Sequence, residues 1–141
     1  MSKKIVVALD GSDNCLAALR GAADLADARE NGLALLYVFP YKTATMAGLK
    51  DIDRDQLESF KDKAGAEVFK RAEAELGDRC AVTDRHLLWG EPAEEIIEFI
   101  RSNPDTFMIM GRLGRSRINR LVLGSVSDKV IRYAPGMVAV V

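Results

Sequence analysis

Five short apolar runs, separated by segments with helical spacing, are the feature that most constrains the fold of this chain. The runs cover residues 5–9, 33–39, 80–88, 106–110 and 137–141, and the third is less apolar than the others. Continuous apolar runs of this length are typical of strands that are covered on both faces. Strands that alternate with helices are joined by right-handed crossovers, which place them in one parallel sheet. The sequence therefore predicts an open α/β sandwich with helices on both faces of the sheet.

The segments between the runs carry the signals of helices. Helical spacing follows Ser12, and Pro92 suits the first turn of a later helix. Residues 41–52 show no clear period and are predicted to form a loop. A long helix that ends at Gly77 is predicted to bury one apolar stripe, made of Leu57, Phe60, Ala64, Val68, Ala72 and Leu76.

Length and charge narrow the class of protein. A chain of 141 residues suits a single domain over residues 1–141. Twenty basic residues stand against twenty-one acidic ones, and the formal net charge is -1. Proteins that bind nucleic acid usually carry a strong basic surplus, so we expect no nucleic-acid partner.

Localisation signals and cysteine content point to the cytoplasm. The first residues lack the apolar region and cleavage site of a secretory signal, and no apolar stretch approaches the ~18 residues that cross a bilayer. Cys15 and Cys80 are too few for a disulfide framework and match no metal motif. We expect a cytoplasmic protein with reduced thiols and no contact with a membrane.

A stretch rich in glycine and arginine follows the fourth run. It reads GRLGRSRINRLVLGS over residues 111–125 and contains no acidic residue. Gly111 and Gly114 would let backbone N–H groups approach an anion without a Cβ in the way. Gly124 and Ser125 would open a helix, whose first N–H groups attract phosphate. If the first and fourth strands are neighbours, Asp10 meets this stretch at the point where strand order reverses, which is where such sheets bind ligands.

A simpler alternative explains each glycine by itself. In that alternative Gly111 ends a strand, Gly124 precedes a helix and Ser125 caps it. The combination at a switch point favours phosphate binding. The arginines divide into two pairs, with Arg112 and Arg115 predicted to face the phosphates, and Arg117 and Arg120 a solvated or subunit-facing surface.

Motifs across the chain resemble those of one family. The sequence contains neither a G-x-x-x-x-G-K-[ST] loop nor a G-x-G-x-x-G turn, so a P-loop NTPase and a standard NAD enzyme are not supported. Residues 5–12 (IVVALDGS), 90–96 (GEPAEEI) and 133–135 (YAP) resemble the universal stress protein family. The pattern G-x2-G-x9-G-S over residues 111–125 resembles the signature of its ATP-binding branch.

The resemblance implies a fold and a ligand. The implied fold is a five-stranded parallel sheet in the order 3-2-1-4-5, which is Rossmann-like and similar to that of adenine nucleotide alpha hydrolases. The resemblance also implies a homodimer that forms through the last strand. The ligand is ATP with Mg²⁺ between phosphate oxygens. Members often have Cys-Pro where this chain has Gly136 and Met137, a departure that concerns the last strand. The resemblance assigns the adenosine end to Ala8, Asp10, Val38 and Met110. It assigns the ribose-phosphate and triphosphate to Gly111, Gly114, Gly124, Ser125 and the Val126 amide. Arg112 and Arg115, which stand beside the first two glycines, are predicted to lie near the phosphates.

A catalytic assignment finds little support in the residues. His86 is the sole histidine of the sequence and is predicted on the third strand, away from the glycine stretch. The leading hypothesis is a dimeric ATP-binding regulator of stress or energy state, with little or slow hydrolysis. Two alternatives stay open: a Mg²⁺-dependent nucleotide hydrolase or phosphotransferase, and a partner-binding scaffold with an empty pocket.

Overall fold

The structure is a computed structural model that describes residues 3–28, 32–40, 53–112 and 123–141. Five strands alternate with four helices in these ranges, as the apolar runs predict. The elements, numbered in chain order, are β1 (Lys4–Leu9), α1 (Asn14–Ala28), β2 (Leu33–Pro40), α2 (Arg54–Leu76), β3 (Val82–Gly90), α3 (Pro92–Ser102), β4 (Thr106–Met110), α4 (Ser125–Tyr133) and β5 (Met137–Val140).

The strands form one parallel sheet in the order β3-β2-β1-β4-β5, which confirms the predicted fold. Strand β1 lies at its centre and pairs with β2 on one side and β4 on the other. The register places Ala8 beside Leu36 in one pair and beside Met110 in the other. The carboxyl ends of β1, β2 and β4 therefore meet at one edge, where the direction of strand progression reverses.

Side chains alternate between the two faces of the sheet, and each face has its own core. Odd-numbered residues of β1, such as Val7 and Leu9, pack with α1 and α2. Even-numbered residues, such as Val6 and Ala8, pack with residues of α3 and α4, including Ile100 and Val130. Because both faces are covered, the central strands are apolar throughout, which is the pattern that the sequence shows.

Local signals set the helix ends. Asp53 begins α2 with a capping box, in which its side chain accepts from the Gln56 N–H and the Gln56 side chain accepts from its backbone N–H. Gly77 ends this helix at a φ of 55°, a left-handed conformation that favours glycine. Pro92 is the first residue of α3, as predicted.

The stripe predicted for α2 is wrong at Phe60, which is 47% exposed. The buried residues of this helix are Leu57, Gly65, Phe69, Ala72 and Leu76. The predicted loop at residues 41–52 lies outside the described residues. Within the described ranges, no helix combines the length and apolar character needed to span a membrane.

Candidate functional site

A cavity of about 300 Å³ lies at the carboxyl edge of the sheet, where strand order reverses. The ends of β1, β2 and β4 form its floor, and the starts of α3 and α4 contribute to its walls. Its lining residues are Ala8, Leu9, Asp10, Cys15, Leu36, Tyr37, Val38, Pro40, Pro92, Ile96, Met110, Gly111, Gly124, Ser125, Val126 and Ser127.

Eight of the eleven residues assigned from the sequence line this cavity. They are Ala8, Asp10, Val38, Met110, Gly111, Gly124, Ser125 and Val126. The side chain of Arg112 is exposed and does not line the cavity. Gly114 and Arg115 lie outside the described residues, as do Arg117 and Arg120.

Strand alternation explains why these residues meet. Ala8, Val38 and Met110 point to the α3 and α4 face of the sheet, and all three are buried. Asp10 continues the same alternation just beyond the end of β1 and is one of the residues that line the cavity. An apolar wall and a carboxylate thus lie side by side at the same end of the sheet.

A turn after β1 holds the carboxylate of Asp10. Its Oδ1 accepts from the Ser12 N–H at 2.9 Å and from the Ser12 hydroxyl at 2.5 Å. Gly11, between them, has a φ of 80°, a conformation that few other residues adopt. This hydrogen-bonding pattern is an Asx-turn, in which an aspartate accepts from the backbone two residues on.

Helix α4 begins at the cavity without a side-chain cap. Its N-cap residue is Gly124, with φ -64° and ψ 158°, and within the described part of the chain no capping side chain bonds to the first N–H groups. Ser125 is the first helical residue and is exposed, so its prediction as the cap is wrong. The first N–H groups of a helix have no partner within it and carry a partial positive charge. The start of α4 therefore presents hydrogen-bond donors at the cavity.

Hydrogen bonds tie the start of α4 to the end of β4. The buried Ser127 hydroxyl donates to the Gly111 carbonyl at 2.7 Å, and the Gly124 N–H donates to the Arg112 carbonyl at 2.8 Å. The second bond places Gly124 next to Arg112, just after the end of β4. The Arg112 N–H in turn donates to the Val141 carbonyl at 2.9 Å.

Several lining residues carry no functional role in the sequence interpretation. Ser127 is the main one, because its contact with Gly111 joins positions sixteen residues apart. Pro40, Pro92 and Ile96 complete the walls. The Asp-Gly-Ser pattern was a usable signal for the Asx-turn, whereas the proline walls depend on packing that no local pattern shows.

The electrostatics of the cavity give little support to acid–base chemistry. Burial raises the pKa of the Cys15 thiol, and the nearby charge of Asp10 adds to the shift. His86 lies on β3 and packs edge-on against Phe99, with ring centroids 4.9 Å apart, and it does not line the cavity. Among the described residues, no group of three or more His, Cys, Asp or Glu side chains is arranged to hold a metal ion.

A family model described as the universal stress protein family matches residues 1–141. A universal stress protein of Methanocaldococcus jannaschii is 33% identical over 142 residues, which cover 99% of this chain and 81% of that protein.

Two solved structures share the fold and hold nucleotides. A universal stress protein of Archaeoglobus fulgidus, solved in complex with dAMP, is 26% identical with a TM-score of 0.65, and the match covers 98% of this chain and 96% of that one. A universal stress protein solved in complex with cAMP is 21% identical with a TM-score of 0.72, covering 100% and 98% of the two chains.

Proposed function

Because the chain belongs to the universal stress protein family, we propose that it is a binding module for adenine nucleotides whose ligand is ATP. The nucleotide occupies the cavity at the carboxyl edge of the sheet. The observation that carries the proposal is the start of α4, where a glycine N-cap leaves helix N–H groups directed at a cavity with an apolar wall.

The apolar end of the cavity suits a nucleobase. Val38, Pro40, Ile96 and Met110 line it, and a flat aromatic base gains from contact with such surfaces. A volume of about 300 Å³ lies at the lower end of the range for small-molecule sites, roughly 300–1,000 Å³. Asp10 follows β1, the strand between β2 and β4, and also lines the cavity, and we assign it to a ribose hydroxyl donor.

The polar end suits phosphate. The backbone N–H groups of Ser125 and Val126 belong to the first turn of α4, and hydrogen bonds to a charged group are among the strong ones. The carboxylate of Asp128 lies in the same turn, where it would repel an anion, but it forms an ion pair with Arg132 at 3.1 Å. We assign Gly114 and the side chains of Arg112 and Arg115 to the phosphates as part of the same proposal.

Mg²⁺ fits this arrangement as a companion of the nucleotide. The described residues offer no cluster of acidic ligands for it, whereas magnesium is commonly bound through substrate phosphates, water and one or two carboxylates. It would neutralise phosphate charge, and Asp10 is the carboxylate that lines the cavity.

The proposed module hydrolyses ATP slowly or not at all. Among the described residues, the titratable side chains that line the cavity are Asp10, Cys15 and Tyr37. Asp10 is held by Ser12, and burial keeps the thiol of Cys15 protonated, which argues against either of these two as a general base. The protein then responds to stress or energy state by holding the nucleotide.

The proposal includes a homodimer through β5. Among the described residues, this strand lies at the edge of the sheet and pairs only with β4. Four large apolar side chains in the strand, directly after it or in the preceding helix are well exposed: Ile131, Tyr133, Met137 and Val141. A second copy that pairs with the edge would cover them. We also place the protein in the cytoplasm, where free thiols such as those of Cys15 and Cys80 persist.

Nucleotide extraction tests the proposal directly. The purified protein is denatured, the released small molecules are identified by mass, and the stripped protein is titrated with ATP, AMP and GTP. We expect an adenine nucleotide in the extract and tighter binding of ATP than of GTP. An empty extract together with no signal on ATP titration would overturn the proposal. Turnover at ~1 per second or faster would instead indicate an enzyme.

A further inference from the structure

The turn that holds Asp10 is itself fastened from outside the cavity, by helix α2. Arg71, in the last quarter of that helix, donates from Nη1 to the Gly11 carbonyl at 3.2 Å. Its Nη2 forms an ion pair with the carboxylate of Asp13. One guanidinium therefore contacts two residues of a four-residue turn from two separate nitrogen atoms, a geometry that the single nitrogen of a lysine ammonium does not reproduce.

Packing alone does not hold the turn on this side. A second cavity, of about 130 Å³, separates the turn from α2. Gly11, Ser12 and Cys15 line it on one side, and Val68 and Arg71 line it on the other. Because this cavity stands in place of close-packed side chains, the contacts of Arg71 are what joins α2 to the turn across it.

The position of the turn sets the position of the carboxylate. The carboxylate of Asp10 accepts two hydrogen bonds from Ser12, and Gly11 lies between these two residues. The carbonyl oxygen of Gly11 accepts the hydrogen bond from Arg71. Gly11 has a φ of 80°, and glycine reaches many other conformations at little cost. Without an external contact this turn has freedom to shift, and the carboxylate would shift with it.

We propose that Arg71 is a positioning residue for the nucleotide site, which holds the turn after β1 and thereby orients Asp10 toward the ligand. This inference rests on the proposed nucleotide-binding function. Arg71 acts through Gly11 and Asp13 and does not line the ligand cavity. Its side chain is 51% exposed and that of Asp13 is 63% exposed, so solvent screens the pair and the expected effects are moderate.

Cys15 supplies a readout that needs no nucleotide. Its side chain is 6% exposed, and its thiol donates to the Ser12 carbonyl at 3.0 Å, so it reports on the same turn. The second thiol is removed by Cys80→Ser. In that background, Arg71→Ala is expected to raise the rate at which a maleimide labels Cys15 by about fivefold, because the turn opens more often.

Arg20→Ala is the matched control. Arg20 also joins α1 to α2 through an ion pair, with Glu75 at 2.8 Å, but it contacts none of the turn residues among those described. We expect Arg71→Ala to weaken ATP binding about fivefold, and Arg20→Ala to leave both the labelling rate and the affinity unchanged. Arg71→Lys keeps a positive charge opposite Asp13 and is expected to recover part of the affinity.

The outcomes separate this inference from the proposed function. If the unmodified protein binds no nucleotide, the proposed function fails. If Arg71→Ala leaves the labelling rate of Cys15 unchanged, Arg71 does not hold the turn, and this inference fails as well. Faster labelling with unchanged ATP affinity overturns the positioning role. If Arg71→Lys binds ATP as weakly as Arg71→Ala does, the ion pair with Asp13 does not contribute to positioning the site.

Discussion

Glycine at position 124 is not required by the backbone. A φ of -64° with a ψ of 158° is ordinary extended geometry that any residue adopts. Serine, threonine, aspartate or asparagine would also cap the helix better, since glycine offers no side-chain acceptor. Neither backbone geometry nor capping accounts for this glycine, and the proposed approach of a ligand to the first N–H groups of α4 would.

Replacing Gly124 with serine separates stability from binding. A serine hydroxyl would accept from the first turn of α4 and occupy donors that we assign to phosphate. The free energy of unfolding should change by less than about 0.5 kcal/mol, because serine and glycine differ little at this position. ATP affinity should fall about tenfold, which corresponds to about 1.4 kcal/mol. Urea unfolding and calorimetric titration measure the two quantities.

Asp53→Ser is the control for that substitution. It changes the N-cap of α2, whose first residues do not line the ligand cavity, and it should leave ATP affinity unaltered. An unchanged affinity in Gly124→Ser would show that the start of α4 does not hold phosphate.

The buried hydroxyl of Ser127 allows a second test at the level of one residue. Ser127→Ala removes the 2.7 Å hydrogen bond to the Gly111 carbonyl at a site that is 3% exposed. Loss of a buried partner costs about 1–3 kcal/mol, and the higher helix propensity of alanine offsets up to about 0.7 kcal/mol of it. We expect a net destabilisation of about 1 kcal/mol in urea unfolding.

The same substitution should weaken ATP binding, because Gly111 and α4 both line the cavity and this bond fixes their spacing. Ser102→Ala is the matched control, since that exposed hydroxyl makes only a 3.4 Å contact with Glu98. Equal stability of Ser127→Ala and Ser102→Ala would contradict the structural role of the bond.

At the level of elements, local patterns predicted most of the fold. The five apolar runs became the five strands, with ends that differ by at most two residues, because burial on both faces requires continuous apolar sequence. Gly77 and Pro92 marked helix ends correctly, since their backbone constraints act locally. The order of the strands depends on long-range pairing, and the expectation for it came from the family resemblance.

Helix α2 shows where local pattern fails. Its predicted stripe includes Phe60 at helical spacing from Leu57 and Ala64, yet Phe60 is 47% exposed while Phe69, outside the stripe, is 8% exposed. The buried residues Gly65, Phe69, Ala72 and Leu76 recur at intervals of three or four and form one face of this helix, and Phe60 lies off that face. Apolar spacing alone does not show which of two possible faces the neighbouring elements cover.

The two phenylalanines of α2 provide a matched prediction. Phe69→Ala should lower the free energy of unfolding by about 3 kcal/mol, because it leaves a cavity in the core against β1 and β2. Phe60→Ala should lower it by less than about 1 kcal/mol, because much of that ring already contacts water. Both values come from urea denaturation of variants of the same helix. Equal losses would show that Phe60 is covered in the folded protein.

At the level of the whole molecule, the candidate site contains residues that the sequence predicts and cavity walls that it does not predict. Asp10, Gly111 and Gly124 follow strand ends or precede a helix, and their meeting at one edge follows from the parallel topology. The walls from Pro40 and Pro92 arise from the packing of separate elements, which no single segment encodes. Chemistry at strand ends is thus predictable, whereas the shape of the cavity requires the structure.

The edge strand β5 is connected to the candidate site by backbone hydrogen bonds. The Val141 N–H donates to the Met110 carbonyl at 3.0 Å, and the Val141 carbonyl accepts from Arg112, whose own carbonyl accepts from Gly124. Backbone hydrogen bonds therefore run without interruption from the end of β5 to the start of α4. In the proposed dimer, the strand that pairs with a second copy is bonded directly to the residues assigned to the nucleotide.

Met137→Glu tests the dimer through this edge. Met137 begins β5 and is 50% exposed, so a charge there would be buried without a partner when two edges pair, and the dimer should dissociate. Phe60→Glu is the control, because Phe60 is 47% exposed on α2, which packs against β2 and β3 on the other side of the sheet from β5. Size-exclusion chromatography with light scattering should give a dimer for the unmodified protein and for Phe60→Glu, and a monomer for Met137→Glu. A monomeric unmodified protein, or a dimer that survives Met137→Glu as well as Phe60→Glu, would contradict pairing through β5.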